Sequence, residues 1–355
     1  MGCCDEQTAL VPQSGKRSSD FAVPDVSRRK LVQGVGAVAG VLGIAAPAVA
    51  QSLKKITISF CSQFLCAPPY VVARTFGYFR QHGLDAEIVY FRGGNAAIQA
   101  LVSGAVDYGA TSLDVAMQAY TKGADIRRFV TTGKLPLFAL VTAPKTAATI
   151  NGLKDLEGKT VGVSALGNAD HALLLFLLKR ANADAGKVQF ATIGVNILEA
   201  VRLGQVDAAL CQEPALTVLK AAGVKVLVNA METADAERYL GGPYEFMGVS
   251  VRAKEMDARR AEMQALASGL DQALKALPQM PASQMIRAFP QELFAGSSTA
   301  QFEDVLARYK GALYPQSVKI DLPAVHRVAD TLKVAGLVPE NADVSKLHDT
   351  TIVGG

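Results

Sequence analysis

Short β-branched runs and stretches with helical periodicity alternate along the chain from residue 51 onward. Lys55-Ile56-Thr57-Ile58-Ser59-Phe60 has the in-out alternation of a half-buried strand. Pro68-Pro69 opens a helix predicted over 70–81, since proline is tolerated in a first turn, and Gly83 ends it. A second strand is predicted over 84–91. Gly93-Gly94-Asn95 follows, with Asn95 expected to cap a helix over 96–103. Strand, loop, helix, strand, loop, helix predicts a mostly parallel α/β sheet.

The same grammar resumes further along. A turn and strand are predicted over 156–164, and the apolar run 172–178 predicts a buried helix that begins near Asn168 or Asp170. Gly241-Gly242-Pro243 closes this region, and 246–251 reads as a strand returning to the first one. The remainder predicts helices over 258–277, 298–313 and 321–335, the second with Ser298 and Gln301 as a capping box, the third ended by Gly336. Two chain crossings between the halves imply a hinge. A spacing of one hundred residues also stands out. Leu101-Val-Ser-Gly104-Ala-Val106-Asp107, with Gly123 beyond it, is echoed by Val201-Arg-Leu-Gly204-Gln-Val206-Asp207, with Gly223 beyond it. If the echo is structural, two similar lobes share one plan.

The first fifty residues read differently. Val35 to Ala50 is a 16-residue uncharged stretch rich in Ala and Gly, shorter than the ~20 residues of a spanning helix. Ser27-Arg28-Arg29-Lys30-Leu31-Val32 precedes it and looks like a twin-arginine export signal, while Ala48-Val49-Ala50 suits cleavage before Gln51. An uncut membrane anchor is the other reading. Met1-Gly2-Cys3-Cys4 does not extend to a myristoylation signal, because position 6 is Glu6. Residues 1–26 are expected to be an extended leader. The expected location of the mature chain is the periplasm, with domains over 1–50 (signal), 51–144 (first lobe, first part), 145–243 (second lobe) and 244–355 (return and C-terminal helices).

Composition narrows the function. The chain has 355 residues, half of them hydrophobic, and a net charge of +4, too slight for the basic stripes of a nucleic-acid binder. Of its five cysteines, Cys61, Cys66 and Cys211 follow the expected cleavage point, an odd number that leaves at least one thiol unpaired. No His-x-x-x-His or Cys-x-x-Cys spacing suggests a metal, and no Gly-x-Ser-x-Gly elbow suggests a hydrolase.

Several motifs taken in order carry a resemblance. They are Ala67-Pro68-Pro69-Tyr70, Gly77-Tyr78-Phe79, Gly93-Gly94-Asn95, Leu101-x-x-Gly104-x-x-Asp107, Leu153-x-x-Leu156-x-Gly158-Lys159-x-Val161-Gly162 and Gly167-x-x-x-His171. Together they resemble the substrate-binding proteins of ABC importers, in the branch holding nitrate-, alkanesulfonate- and taurine-binding proteins and the hydroxymethylpyrimidine synthase-like group. The resemblance implies an α/β fold of the type II periplasmic binding protein class, with two lobes, a hinge and a ligand cleft between them. It also implies a small organic anion or zwitterion as ligand (sulfonate, taurine-like, carboxylate or nitrate), no cofactor, no catalysis, and delivery to a membrane permease served by an ATPase subunit. A monomer is expected.

In such a fold the cleft lies at the carboxyl ends of the strands. The loop after the first strand offers Gln63, Phe64 and Leu65: Phe64 either stacks on the ligand or caps the core. Gly94 and Asn95 open a helix whose free N–H groups suit an oxyanion. Ser164, Gly167 and Asn168 lead into a second helix start, with His171 one turn inside, as ligand contact or structural residue. Ser112-Leu113-Asp114 and Gln212-Glu213 occupy the same loop in the two halves. Asp114 and Glu213 either cap their own helices or meet a donor group on the ligand. Lys134 is either a charge that compensates these acidic residues or a solvated surface lysine, and Tyr244 sits at the return crossing, touching ligand or hinge. Two other readings stay open: a periplasmic ligand-sensing module of the same fold, and a pyrimidine-synthase-like enzyme using pyridoxal phosphate on a lysine.

Overall fold

The computed structural model describes residues 52–61, 64–290 and 298–353. The export signal, its cleavage point and Cys3-Cys4 therefore lie outside the described residues, as does Gln63. Among the described residues no helix is long and apolar enough to cross a membrane.

The first half of the chain lays down β1 (Lys54–Phe60), α1 (Pro68–Thr75), α2 (Tyr78–Gln81), β2 (Leu84–Tyr90), α3 (Gly94–Ser103), β3 (Tyr108–Ser112), α4 (Leu113–Thr121) and β4 (Ile126–Thr131). It then crosses to β5 (Ala139–Thr142), β6 (Thr160–Val163), α5 (Ala169–Arg180), β7 (Gln189–Thr192), α6 (Ile197–Arg202), β8 (Ala208–Cys211), α7 (Ala215–Ala221), β9 (Val226–Asn229) and the short α8 (Thr233–Asp235). A return crossing gives β10 (Met247–Arg252), followed by α9 (Met256–Ala276), α10 (Ala282–Ile286), α11 (Thr299–Leu313) and α12 (Leu322–Val334).

Two five-stranded sheets result, in the orders β2-β1-β3-β10-β4 and β7-β6-β8-β5-β9. In each, three parallel strands are followed by an antiparallel fourth, β10 against β3 in one and β5 against β8 in the other. That fourth strand is in both cases the first strand after a crossing, so each lobe is completed by chain arriving from the other. The hundred-residue echo is structural. Asp107 closes on Thr57, its N–H donating to the Thr57 carbonyl and its Oδ2 accepting from the Thr57 N–H at 2.8 Å. Asp207 does the same with Thr160, at 2.9 Å for the carboxylate bond. Gly104 and Gly204 both adopt positive φ just before these aspartates, ending α3 and the turn after α6.

Three local expectations are corrected. The helix predicted over 70–81 is two helices, because Gly77 takes φ +77° and stops α1. The cap of α3 is Gly93 rather than Asn95, which lies within the first turn. Ser298 precedes α11 without a side-chain capping bond, so the expected capping box is not formed. The three long C-terminal helices otherwise fall where the periodicity puts them. α9 packs on α1 and α2, whereas α12 packs on both α4 and α5 and so touches both lobes.

Candidate functional site

At the carboxyl ends of β1, β3, β6 and β8, between the two sheets, lies a cavity of about 30 Å³. That is room for about two or three waters, so admitting a larger guest requires the lobes to part. The residues that end or follow those four strands, Cys61, Ser112, Ser164 and Gln212, all reach its wall. Phe138, Phe246 and Met247 from the crossing segments add an apolar side, with the two phenylalanine rings edge to face at 6.0 Å. Among the described residues, no lysine or arginine lines it.

Helix starts converge on this space. Gly93 and Gly94 begin α3 on one side, and Asn168 caps α5 on the other. Gly93 has φ +91°, and a Cβ there would stand 3.1 Å from Asn168 Nδ2, so glycine is required both by its backbone and by the approach of the opposite lobe. Ser112 begins α4, whose first N–H, that of Leu113, donates to the Phe246 carbonyl at 2.7 Å. Asp170 takes first-turn N–H groups of α5, those of Asp170 and His171, and Asp114 takes its own in α4, whereas the start of α3 carries no acidic residue; the helix dipole adds partial positive charge at each start.

The loop entering α5 is held by its own side chains. Asp170, fully buried at the cavity wall, accepts from the Ser164 N–H at 2.5 Å and from its hydroxyl at 2.8 Å. Asn168 Nδ2 donates to Ser164 Oγ at 3.1 Å. His171 Nδ1 accepts from the Gly167 N–H at 3.1 Å, and its ring stands edge-on to Phe190. Burial lowers the His171 pKa, in keeping with a neutral imidazole whose Nδ1 is an acceptor. Gln118 spans the lobes, donating from Nε2 to the Gly167 carbonyl at 2.9 Å.

Beneath the cavity is a buried charged cluster. Arg128 has 0 % exposure and donates to the carbonyls of Thr111 (3.1 Å) and Phe246 (2.8 Å), with Glu245 3.6 Å from its Nε. Gly248 makes room for it: a Cβ there would lie 2.5 Å from the Arg128 guanidinium. Burial pushes the Glu245 carboxyl up to about 7 against the opposing pull of Arg128. Asp114 is likewise pushed up by burial to about 6, while its Oδ1 accepts from Tyr244 OH at 2.6 Å. These bonds tie the return crossing, residues 244–247, to the first lobe. The crossings also pair with each other, through Tyr244 N–H to the Lys134 carbonyl and Phe246 N–H to the Gly133 carbonyl.

Of the residues singled out from sequence, Gly94, Ser112, Ser164 and Asn168 line the cavity. Asn95 lies beside Gly167, its Nδ2 3.7 Å from where a Gly167 Cβ would be. Among the described residues, the others are not brought to the wall. Phe64 packs on Phe289 and Phe302 at 5.1 and 4.5 Å, so its ring belongs to the core. Leu65 and Leu113 are buried, and Lys134 takes part through its backbone. Asp114 and Tyr244 pair with each other; His171 holds the Gly167 turn. Glu213 accepts from the Thr217 N–H at 2.9 Å, capping its own helix α7. Asp170, Phe138 and Gln212 were missed as wall residues. For Gln212 a signal existed, since it takes the place in the second repeat that Ser112 takes in the first. Cys61, Cys66 and Cys211 are buried, and burial pushes the Cys66 and Cys211 thiols up, away from the thiolate.

A family model described as "NMT1/THI5 like" matches residues 67–280. No curated protein matches the chain in sequence. Among solved structures, a protein from Bordetella bronchiseptica superposes with a TM-score of 0.76 at 23% identity, covering 85% of this chain and 96% of its own. The alkanesulfonate-binding protein SsuA from Xanthomonas axonopodis, bound to MOPS, gives 0.65 at 20% identity, with 86% and 100% covered. The nitrate-binding protein NrtA from Synechocystis gives 0.68 at 13% identity, with 85% and 88% covered. At these identities the likeness is one of fold, that of the periplasmic binding proteins.

Proposed function

Because the chain belongs to the NMT1/THI5-like family, we propose that it is the solute-binding component of an ABC import system, capturing a small organic anion or zwitterion. One observation carries the reading: the starts of α3 and α5, from opposite lobes, face one cavity that no lysine or arginine among the described residues lines. Backbone N–H groups and helix dipoles then supply the positive potential for a sulfonate, carboxylate or similar oxyanion. The Phe138, Phe246 and Met247 side takes the carbon portion of the ligand.

The mechanism is a population shift. A ligand bridging both lobes binds the closed form better than the open one and moves the equilibrium towards it. Since residues 244–247 are bonded to the first lobe, bending is assigned to the segments beyond them, around Gly241-Gly242 and residues 135–138. The permease then reads the closed shape. The site binds without turnover, and its setting is the periplasm, reached by the twin-arginine signal.

The test is a thermal-shift screen of the full chain against sulfonates, aromatic carboxylates, nitrate, taurine and pyrimidines. At least one is expected to raise the melting temperature. The double variant Gly94→Val, Asn168→Ala is expected to lose that rise, because valine at 94 crowds Val115 and fills the α3 side of the cavity. An undiminished rise in the double variant refutes this placement of the site.

A further inference from the structure

Asn168 stands on the cavity wall with one end of its amide committed and the other not. We propose that Asn168 determines specificity by presenting its carbonyl oxygen to the ligand, so that the site selects ligands carrying an N–H or O–H donor. The proposal deepens, and rests on, the solute-binding reading above.

The argument is one of proton direction. Ionised, the Asp170 carboxylate can only accept, and it takes both the N–H and the hydroxyl proton of Ser164. A serine hydroxyl has one proton. With that proton given to Asp170, Ser164 Oγ has only lone pairs to offer its third neighbour. Asn168 must therefore turn its NH₂ towards Ser164, 3.1 Å away. The amide oxygen is left over, buried and without a partner. Reversing the amide would set two acceptors against each other. A buried acceptor left unmet is costly, so a ligand that offers it a donor gains what a purely accepting ligand forfeits.

A second observation points the same way. The wall carries a buried carboxylate, Asp170, and among the described residues no side-chain cation to balance it. A bare oxyanion meets favourable N–H groups at the helix starts but an oxygen at Asn168. A molecule with an oxyanion at one end and an amino or hydroxyl group at the other satisfies both.

The experiment uses matched pairs on the full chain: 2-hydroxyethanesulfonate against ethanesulfonate, and 3-aminopropanoate against propanoate, by calorimetric titration at pH 7.5. The donor-bearing member is expected to bind at least tenfold more tightly. Ser164→Ala frees the amide to reverse, and the preference should fall to within about threefold. Asn168→Ala removes the oxygen and should likewise bring the preference to within about threefold. Circular dichroism melting verifies that each variant is folded. Equal binding of both members, or an unchanged preference in Ser164→Ala, overturns the assignment of Asn168 and leaves the solute-binding reading standing. Binding of neither member of either pair overturns the oxyanion reading itself, and this inference with it.

Discussion

Arg128→Met removes the most deeply buried charge in the structure and tests whether it anchors the return crossing. The side chain has no exposure, and its guanidinium bonds the Thr111 and Phe246 carbonyls and faces Glu245 at 3.6 Å. Breaking a buried pair by deleting one partner costs about 3–5 kcal/mol, because the other charge is left uncompensated. The lost carbonyl bonds contribute less, since the Phe246 carbonyl keeps the Leu113 N–H. Against a domain stability of about 5–15 kcal/mol this is a large loss. It should depend on pH. Glu245 titrates near 7 in the folded chain, so at pH 5.5 it is neutral and deleting its partner strands no charge. Urea unfolding is therefore expected to show about 3–5 kcal/mol lost at pH 8 and a smaller loss at pH 5.5. The double variant Arg128→Met, Glu245→Leu, which replaces the pair by apolar groups, should recover at least half of the loss at pH 8. A single-variant loss below about 1 kcal/mol, or a double variant no more stable than the single, refutes the reasoning.

Three further outcomes follow from the same geometry. Gln118→Ala deletes a bond between the lobes to the Gly167 carbonyl; worth about 0.5–1.5 kcal/mol, its loss should weaken ligand binding by roughly two- to tenfold in titration calorimetry. Gly248→Ala would place a Cβ 2.2 Å from the Val130 carbonyl oxygen, and calorimetric melting should show at least about 1–3 kcal/mol of destabilisation from overpacking. His348 is held down to about 3, first by burial and then by the Arg128 charge, so between pH 6.5 and 3 the unfolded chain takes up a proton that the folded chain refuses. Stability contributed by the neutral imidazole is thus lost as pH falls through that window, amounting to about 2 kcal/mol at pH 5, and His348→Gln should flatten the stability profile there.

Much of the scaffold was legible because it rests on local patterns. Gly104 and Gly204, each followed three residues later by aspartate, mark helix ends and strand starts that recur in both lobes. Gly93-Gly94 and Asn168 were readable as helix starts near a cleft, and they do line the cavity. What escaped depends on long-range packing. Arg127 and Arg128 are adjacent in sequence, and only the space left by Gly248 on the neighbouring strand decides that Arg128 turns inward. Phe64 looked available to a ligand because the aromatic residues that enclose it, Phe289 and Phe302, lie more than two hundred positions away. Asp170 reads as a first-turn acid suited to any helix start, and its bonds to Ser164 appear only once the loop is folded.

The claim beneath all of this is that a small solute is held between the lobes. The compound giving the largest thermal shift should be crystallised with the full chain and located in the electron density. The account predicts density between the starts of α3 and α5, touching Gly94 and Asn168. A guest found on an outer face of either lobe, with that cleft left to solvent, would contradict it.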